Sequence, residues 1–148
     1  MIAPSRLLLL DTNIVILLVR GGAVGQAIDS RFRLRERAER PLVSVVTLGE
    51  ALAFARQRNW GADGIARLRD LTRELVPVNI SAQPVLDRYA EIDTFMKRSG
   101  KALSDNDLWI AACAAAAEAT LLTTDRDFDP LVGRYLDRVW IDPRNPGA

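Results

Sequence analysis

The chain has 148 residues, enough for one domain with a proper core and too short for two. Apolar residues make up 49%, which excludes a disordered chain, and a net charge of +1 means that any nucleic-acid contact must come from local patches. Histidine is absent and Cys113 is the only cysteine, so Ser-His-Asp and Cys-His hydrolysis, a His-ligated zinc site and an internal disulfide are excluded.

Any catalysis must therefore use carboxylates, hydroxyls, amines or a metal held by oxygen. Cys113 lies in an alanine-rich run and reads as a small core residue; a lone cysteine fits a reducing cytoplasm. No apolar run approaches the roughly 18 residues of a membrane span, and no signal-peptide pattern is found. A cytoplasmic protein without a membrane partner is expected.

The first element is Leu7-Leu8-Leu9-Leu10, a strand apolar on both faces, as in the middle of a parallel sheet. It ends abruptly at Asp11, followed by Thr12 and Asn13. Crevices of open α/β sheets form at the carboxyl ends of strands, which places Asp11 at the floor of a cleft. Asn13 is expected to cap a short buried helix that stops at Gly21-Gly22. A second helix is expected from about Val24 to Arg40. On it Arg33, Arg37 and Arg40 share a face, either solvated or contacting phosphates beside the cleft.

Leu42 to Val46 reads as a β-branched strand, and a helix follows through about Arg58 with Ala51, Leu52, Phe54 and Ala55 as candidate core. Glu50 stands at the turn between them, so strand and acid recur together. Thr47-x-x-Glu50 also fits a capping box, a purely structural role for this glutamate. After the turn Asn59-Trp60-Gly61, Asp63 can cap a helix carrying Ile65, Leu68, Leu71 and Leu75. Val76-Pro77-Val78 can only be an edge strand or an extended link. Ser81 opens a helix with Val85, Leu86, Tyr89, Ile92, Phe95 and Met96 as its stripe, closed by Gly100.

Ser104 caps the next helix, which runs to about Ala119 and can bury almost nothing but alanine. Asp107 then lies in the first turn, where the helix dipole favours an ionised carboxylate. Thr120 to Thr123 is a third strand ending in acid, at Thr124-Asp125-Arg126-Asp127-Phe128, and Val139-Trp140-Ile141 is a last strand. Residues 1–142 are expected to form one domain, with an extended tail over 143–148.

Strands alternate with helices, which argues for an α/β domain with a mainly parallel sheet. Asp11, Glu50 and Asp125 reach one end of that sheet, and Asp107 arrives from a helix amino terminus. Two like charges 4 Å apart repel by about 4 kcal/mol at an effective dielectric near 20. Several carboxylates in one cleft therefore need protons or a hard cation. An all-oxygen donor set suits Mg²⁺ or Mn²⁺, and such ions support phosphodiester hydrolysis.

Four segments carry a family resemblance: Leu10-Asp11-Thr12-Asn13, Ser44 to Glu50, Asp105 to Ala112, and Leu122 to Phe128. In order and spacing the chain resembles PIN-domain proteins, specifically the VapC-type toxins of toxin–antitoxin pairs. The resemblance implies a three-layer α/β/α sandwich and a Mg²⁺- or Mn²⁺-dependent endoribonuclease held inactive by an antitoxin. The implied partners are an RNA substrate, with tRNA and rRNA as candidates, a cognate antitoxin protein and a second copy of the chain. Asp11, Glu50 and Asp107 match the family's acidic triad and Asp125 the fourth acid, with Asp105 and Asp127 as neighbouring acids. Thr12, Asn13 and Thr124 match supporting polar positions.

Other readings predict different behaviour. A haloacid-dehalogenase-like phosphatase needs a general acid two residues after Asp11, where Asn13 stands. A degenerate, purely binding module is disfavoured by the presence of all four acids. A nuclease of RNA processing or decay shares the chemistry and differs in biological role.

Overall fold

The structure is a computed structural model that describes residues 6–148, so residues 1–5 of the expected domain lie outside the described residues. Its centre is a five-stranded, all-parallel sheet in the order β3-β2-β1-β4-β5. The strands are β1 (Leu8–Leu10), β2 (Leu42–Ser44), β3 (Val76–Val78), β4 (Thr120–Thr123) and β5 (Asp137–Trp140). β1 pairs Leu9 with Leu42 on one side and with Leu121 on the other. All three leucines of β1 are buried, as a central strand covered on both faces requires.

Alternation along β1 divides the core in two. Leu8 and Leu10 pack with α1 (Thr12–Arg20), α2 (Ala23–Phe32), α3 (Val45–Gln57) and α4 (Gly61–Arg73), through Ile14, Val15, Ile28, Phe32, Ala51, Ala55 and Leu68. Leu9 packs with α5 (Gln83–Arg98) and α6 (Asp105–Ala116), through Val85, Ile92, Met96 and the buried run Ile110 to Ala115. The result is the expected α/β/α sandwich. The small side chains of α6 allow the close approach to the sheet that its alanine content implied. Val76-Pro77-Val78 is the edge strand β3, where a proline removes no ladder bond that the sheet needs.

Several boundaries differ from expectation. Asp11, not Asn13, caps α1, its Oδ1 accepting from the Thr12 amide at 2.8 Å. β2 stops at Ser44, whose hydroxyl accepts from the Val46 amide and starts α3 two residues earlier than the β-branched pair Val45-Val46 suggested. Trp60 rather than Asp63 precedes α4, and α5 begins at Gln83. β5 covers Asp137–Trp140, and a short 3₁₀ turn at Asp129–Leu131 precedes it.

The largest difference is in the arginine-rich segment. α2 ends at Phe32, and Arg33 takes a left-handed backbone (φ 50°). The turn directs Leu34 into the core, at 9% exposure. Phe32 and Leu34, two residues apart, cannot both face inward from a continuing helix. Arg33, Arg37 and Arg40 therefore do not share a helix face. The Arg37 guanidinium donates to the carbonyls of Phe32 and Arg6, tying this loop to the amino end of β1.

Candidate active site

The carboxyl ends of β1, β2 and β4 converge on an open pocket of about 420 Å³. Asp11, Glu50, Asp107 and Asp125 all line it, with Thr12, Asn13 and Asn106 between them and Ile16, Ala53, Phe54 and Gln57 as the remaining wall. Acids separated by up to 114 positions in the chain thus share one cleft.

Asp11 forms the floor, at 4% exposure. Its amide continues the sheet by donating to the Leu122 carbonyl at 3.0 Å, so the backbone that carries it is fixed between β1 and β4. Its carboxylate accepts from the Thr12 amide and, at 2.6 Å, from the Thr123 hydroxyl. Burial pushes the Asp11 carboxyl above the ordinary carboxylate range; the two hydrogen bonds oppose this, and the charges of Asp125 and Glu50 add to it.

Glu50 has no capping role, because Ser44 caps α3 and leaves Glu50 in the second turn. Both its oxygens are held from other segments: Oε1 accepts from the Thr12 hydroxyl at 2.7 Å, and Oε2 from the Asn106 side-chain amide at 2.9 Å. The Thr12 hydroxyl has one proton and gives it to Glu50, so the 3.0 Å contact to Thr47 makes Thr47 the donor. Thr47 does not form the capping box that its spacing to Glu50 allowed; it is a buried strut behind Glu50.

Asp107 sits in the first turn of α6, its amide donating to the Ser104 hydroxyl at 3.2 Å. Its carboxyl is pushed up to about 6, first by burial and then by the negative charge of Asp11, with Asp125 and Glu50 adding and a hydrogen bond with Ser104 opposing. Asp105 lies elsewhere: it is exposed and its charge bears on Tyr89 and Lys97 of α5.

Asp125 and Asp127 leave β4 in a tight turn, in which the Asp127 amide donates to Asp125 Oδ1 at 2.8 Å. Oxygens of Asp107, Asp125 and Asp127 lie within 4.8 Å of one another. Asp125 lines the pocket; Asp127 is more exposed and reaches the same cluster from outside. The Asn13 amide reaches the Thr124 hydroxyl at 3.4 Å across the mouth. Thr123, whose place in a strand gives no sign of a role at the pocket, donates to Asp11 and accepts from the Asp125 amide at 2.9 Å.

Arg37 and Arg40 border a different cavity, with Leu10, Leu34, Pro41 and Leu75, at the end of the sheet that carries Arg6 and Pro41. The expected basic patch does not adjoin the acids. No arginine or lysine is among the residues lining the acid pocket. A clustered, all-oxygen donor set without a compensating cation, in which burial and then the neighbours' charge raise the carboxyls of Asp11 and Asp107, fits a hard divalent ion.

The PIN domain profile matches residues 8–132. The chain belongs to the PIN-domain family. It is 29% identical over 137 residues to ribonuclease VapC1 of Haemophilus influenzae, covering 90% of this chain and 96% of that one. It is 28% identical over 125 residues to ribonuclease VapC5 of Mycobacterium tuberculosis, covering 84% and 87%. In fold this PIN domain is similar to the structure of VapBC2 from Rickettsia felis bound to a promoter DNA fragment, with a TM-score of 0.77 and 19% identity over 92% of this chain and 99% of that one. The acid pocket of this PIN domain lies within the matched span.

Proposed function

We propose that this chain is a Mg²⁺- or Mn²⁺-dependent endoribonuclease, the VapC-type toxin of a toxin–antitoxin pair. One observation carries the reading: four carboxylates from distant segments line one pocket that has no cationic side chain of its own. The names of the relatives support the same chemistry, and the VapBC complexes among the fold neighbours support an antitoxin partner.

Asp11, Glu50 and Asp107 would hold the ion, and Asp125 would hold a second ion or orient the attacking water; Asp127 is the outer acid. A bound divalent ion eases deprotonation of water and screens charge gathering on the phosphoryl oxygens. The protein's part is to orient. Thr123 and the Thr12 amide fix both oxygens of Asp11, and Thr12 with Asn106 fixes both oxygens of Glu50. Donors held this way need little reorganisation during reaction. Asn13 and Thr124 at the mouth would contact the phosphate.

Purified chain, freed of any partner, is expected to cleave RNA with Mg²⁺ and to stop in EDTA. Asp11→Asn is expected to lower cleavage by at least about a hundredfold while the protein remains folded by circular dichroism. Expression is expected to arrest growth, and a small protein encoded alongside is expected to relieve the arrest. Cleavage by Asp11→Asn at the wild-type rate would overturn the site. Growth arrest undiminished by Asp11→Asn would overturn the toxin role.

A further inference from the structure

The acid pocket has two unlike sides. Its acids gather where the strands stop, and the wall that leads away from them along α1 and α3 carries no charge: it is Ile16, Ala53, Phe54 and Gln57. α3 builds most of this wall, because Glu50, Ala53, Phe54 and Gln57 fall at intervals of three and four and so share one helix face. α1 adds Ile16, four residues after Thr12. Phe54 is held in place: the Trp60 ring meets it edge-on with centroids 5.9 Å apart, and the Arg58 guanidinium lies 4.7 Å from its centroid.

Gln57 closes the wall. It is the last residue of α3, two turns beyond Glu50, which sets it about 10 Å from that acid along the helix axis. Its chain neighbours serve elsewhere: Arg56 lines a separate recess against α4, and Arg58 lies on Phe54. Gln57 is exposed, and among the described residues its amide makes no hydrogen bond, whereas Gln26 donates to the Gly21 carbonyl and Gln83 to Asp87. An arginine at this position would be drawn onto the acids, and another carboxylate would add to their repulsion. A neutral amide does neither, and it offers a donor and an acceptor side by side. An apolar wall with one such pair at its far end has the chemistry that recognises a nucleobase, whose ring buries against the wall while its edge meets the amide. The spacing fits as well, since about 10 Å is of the order of the span from a backbone phosphate to the hydrogen-bonding edge of its own base.

We propose that this wall is a base-selecting subsite: the nucleotide beside the scissile phosphate lays its unpaired base against Ile16, Ala53 and Phe54, and the Gln57 amide reads the base edge. This rests on the ribonuclease reading above and adds to it a sequence preference at one position and the residue that sets it. Gln57 touches the base and not the reacting atoms, so it is a specificity residue. The base must be unpaired, because in a duplex it is stacked away from such a wall and its pairing edge is taken.

The test incubates the full chain, freed of any partner and in Mg²⁺, with a pool of single-stranded RNA about 12 nucleotides long and random in sequence, and sequences the ends of the products. The wild type is expected to favour one base at one position next to the cut by about fivefold or more. Gln57→Ala is expected to bring that preference within about twofold. Gln57→Glu is expected to raise the share of guanine there, because guanine alone offers two adjacent donors, N1–H and N2–H₂, to an acceptor-only carboxylate. Both variants are expected to melt with the wild type, since Gln57 is exposed and unbonded; an unchanged melt separates a lost base contact from a damaged fold. Gln83→Ala, the loss of an amide on α5, is expected to leave the preference as it is. If the wild type cleaves RNA with no base preference beside the cut, or if Gln57→Ala keeps the wild-type preference, this inference fails alone. If the wild type does not cleave RNA, it falls together with the reading it rests on.

Discussion

Thr123 organises the pocket although it is no acid. One hydroxyl donates to Asp11 and accepts from the Asp125 amide, joining the ends of β1 and β4. Thr123→Val keeps the shape and removes both bonds. Asp11 then keeps its burial without its strongest donor, a loss of about 1–3 kcal/mol. Cleavage is expected to fall about 10- to 100-fold, and Thr123→Ser to restore most of it; steady-state kinetics with a defined RNA, alongside thermal melts, measures both. Asp107 gives a prediction of opposite sign for stability. Its carboxyl is raised to about 6 by burial and by neighbouring acids, so its charge works against the metal-free fold. Asp107→Asn removes that charge. In EDTA at neutral pH this variant is expected to melt about 2–4 °C above the wild type while its cleavage is lost, the behaviour of a residue kept for chemistry at a cost to stability. Asp11, Asp107 and Asp125 were legible because each follows a strand or opens a helix; Glu50 was expected at the turn after β2 and stands instead in the second turn of α3. Thr123, Thr47 and Asn106 were not legible, because a hydroxyl's partner depends on which strands lie side by side, and one chain's local pattern does not carry that.

At the scale of elements, the pattern of apolar runs placed four of the five strands and the six helices of the described residues, left Val76 to Val78 open between an edge strand and an extended link, and missed the joints. Val45 and Val46 favour a strand by their branching, yet the cap at Ser44 starts α3 there and swings Glu50 into the pocket. The arginine run after Phe32 looked helical because arginine is a good helix former. Burial of Leu34 and the anchoring of Arg37 to the Phe32 and Arg6 carbonyls outweigh that preference. The joint between α1 and α2 shows how tightly such contacts constrain sequence. A Cβ on Gly25 would lie 2.3 Å from the Leu17 carbonyl oxygen, a backbone atom that cannot step aside alone. Gly25→Ala is expected to destabilise the fold by about 1–3 kcal/mol, read as a lower urea midpoint at unchanged slope. Because α1 begins at Asp11, on the floor of the acid pocket, its displacement is also expected to reduce cleavage.

For the whole molecule, the same charge cluster couples ion binding, pH and stability. Asp11 and Asp107 are both raised in the metal-free protein, so the folded state holds protons more tightly than the unfolded chain. Stability from these groups is therefore present below the ordinary carboxylate range near pH 4 and is lost as pH rises through about 6, the value for Asp107. In EDTA the difference in melting temperature between wild type and Asp107→Asn is expected to open over that window, with the wild type the less stable at the upper end. A divalent ion at the proposed site would reverse the balance, because it would bind the ionised cluster of the folded state and not the dispersed acids of the unfolded chain. At a hundredfold excess over its Kd it contributes about 2.7 kcal/mol. Below about pH 6 protons compete for Asp107, so the apparent Kd for Mg²⁺ is expected to rise up to about tenfold per pH unit, and cleavage to fall with it. Titrating Mg²⁺ at pH 5, 6 and 7.5 and following the melting temperature separates this account from a purely structural one. A wild type whose Mg²⁺-induced stabilisation is the same at all three values would show that the carboxylates are not the ligands. Stabilisation that grows with pH and is absent in Asp107→Asn ties the ion to this pocket.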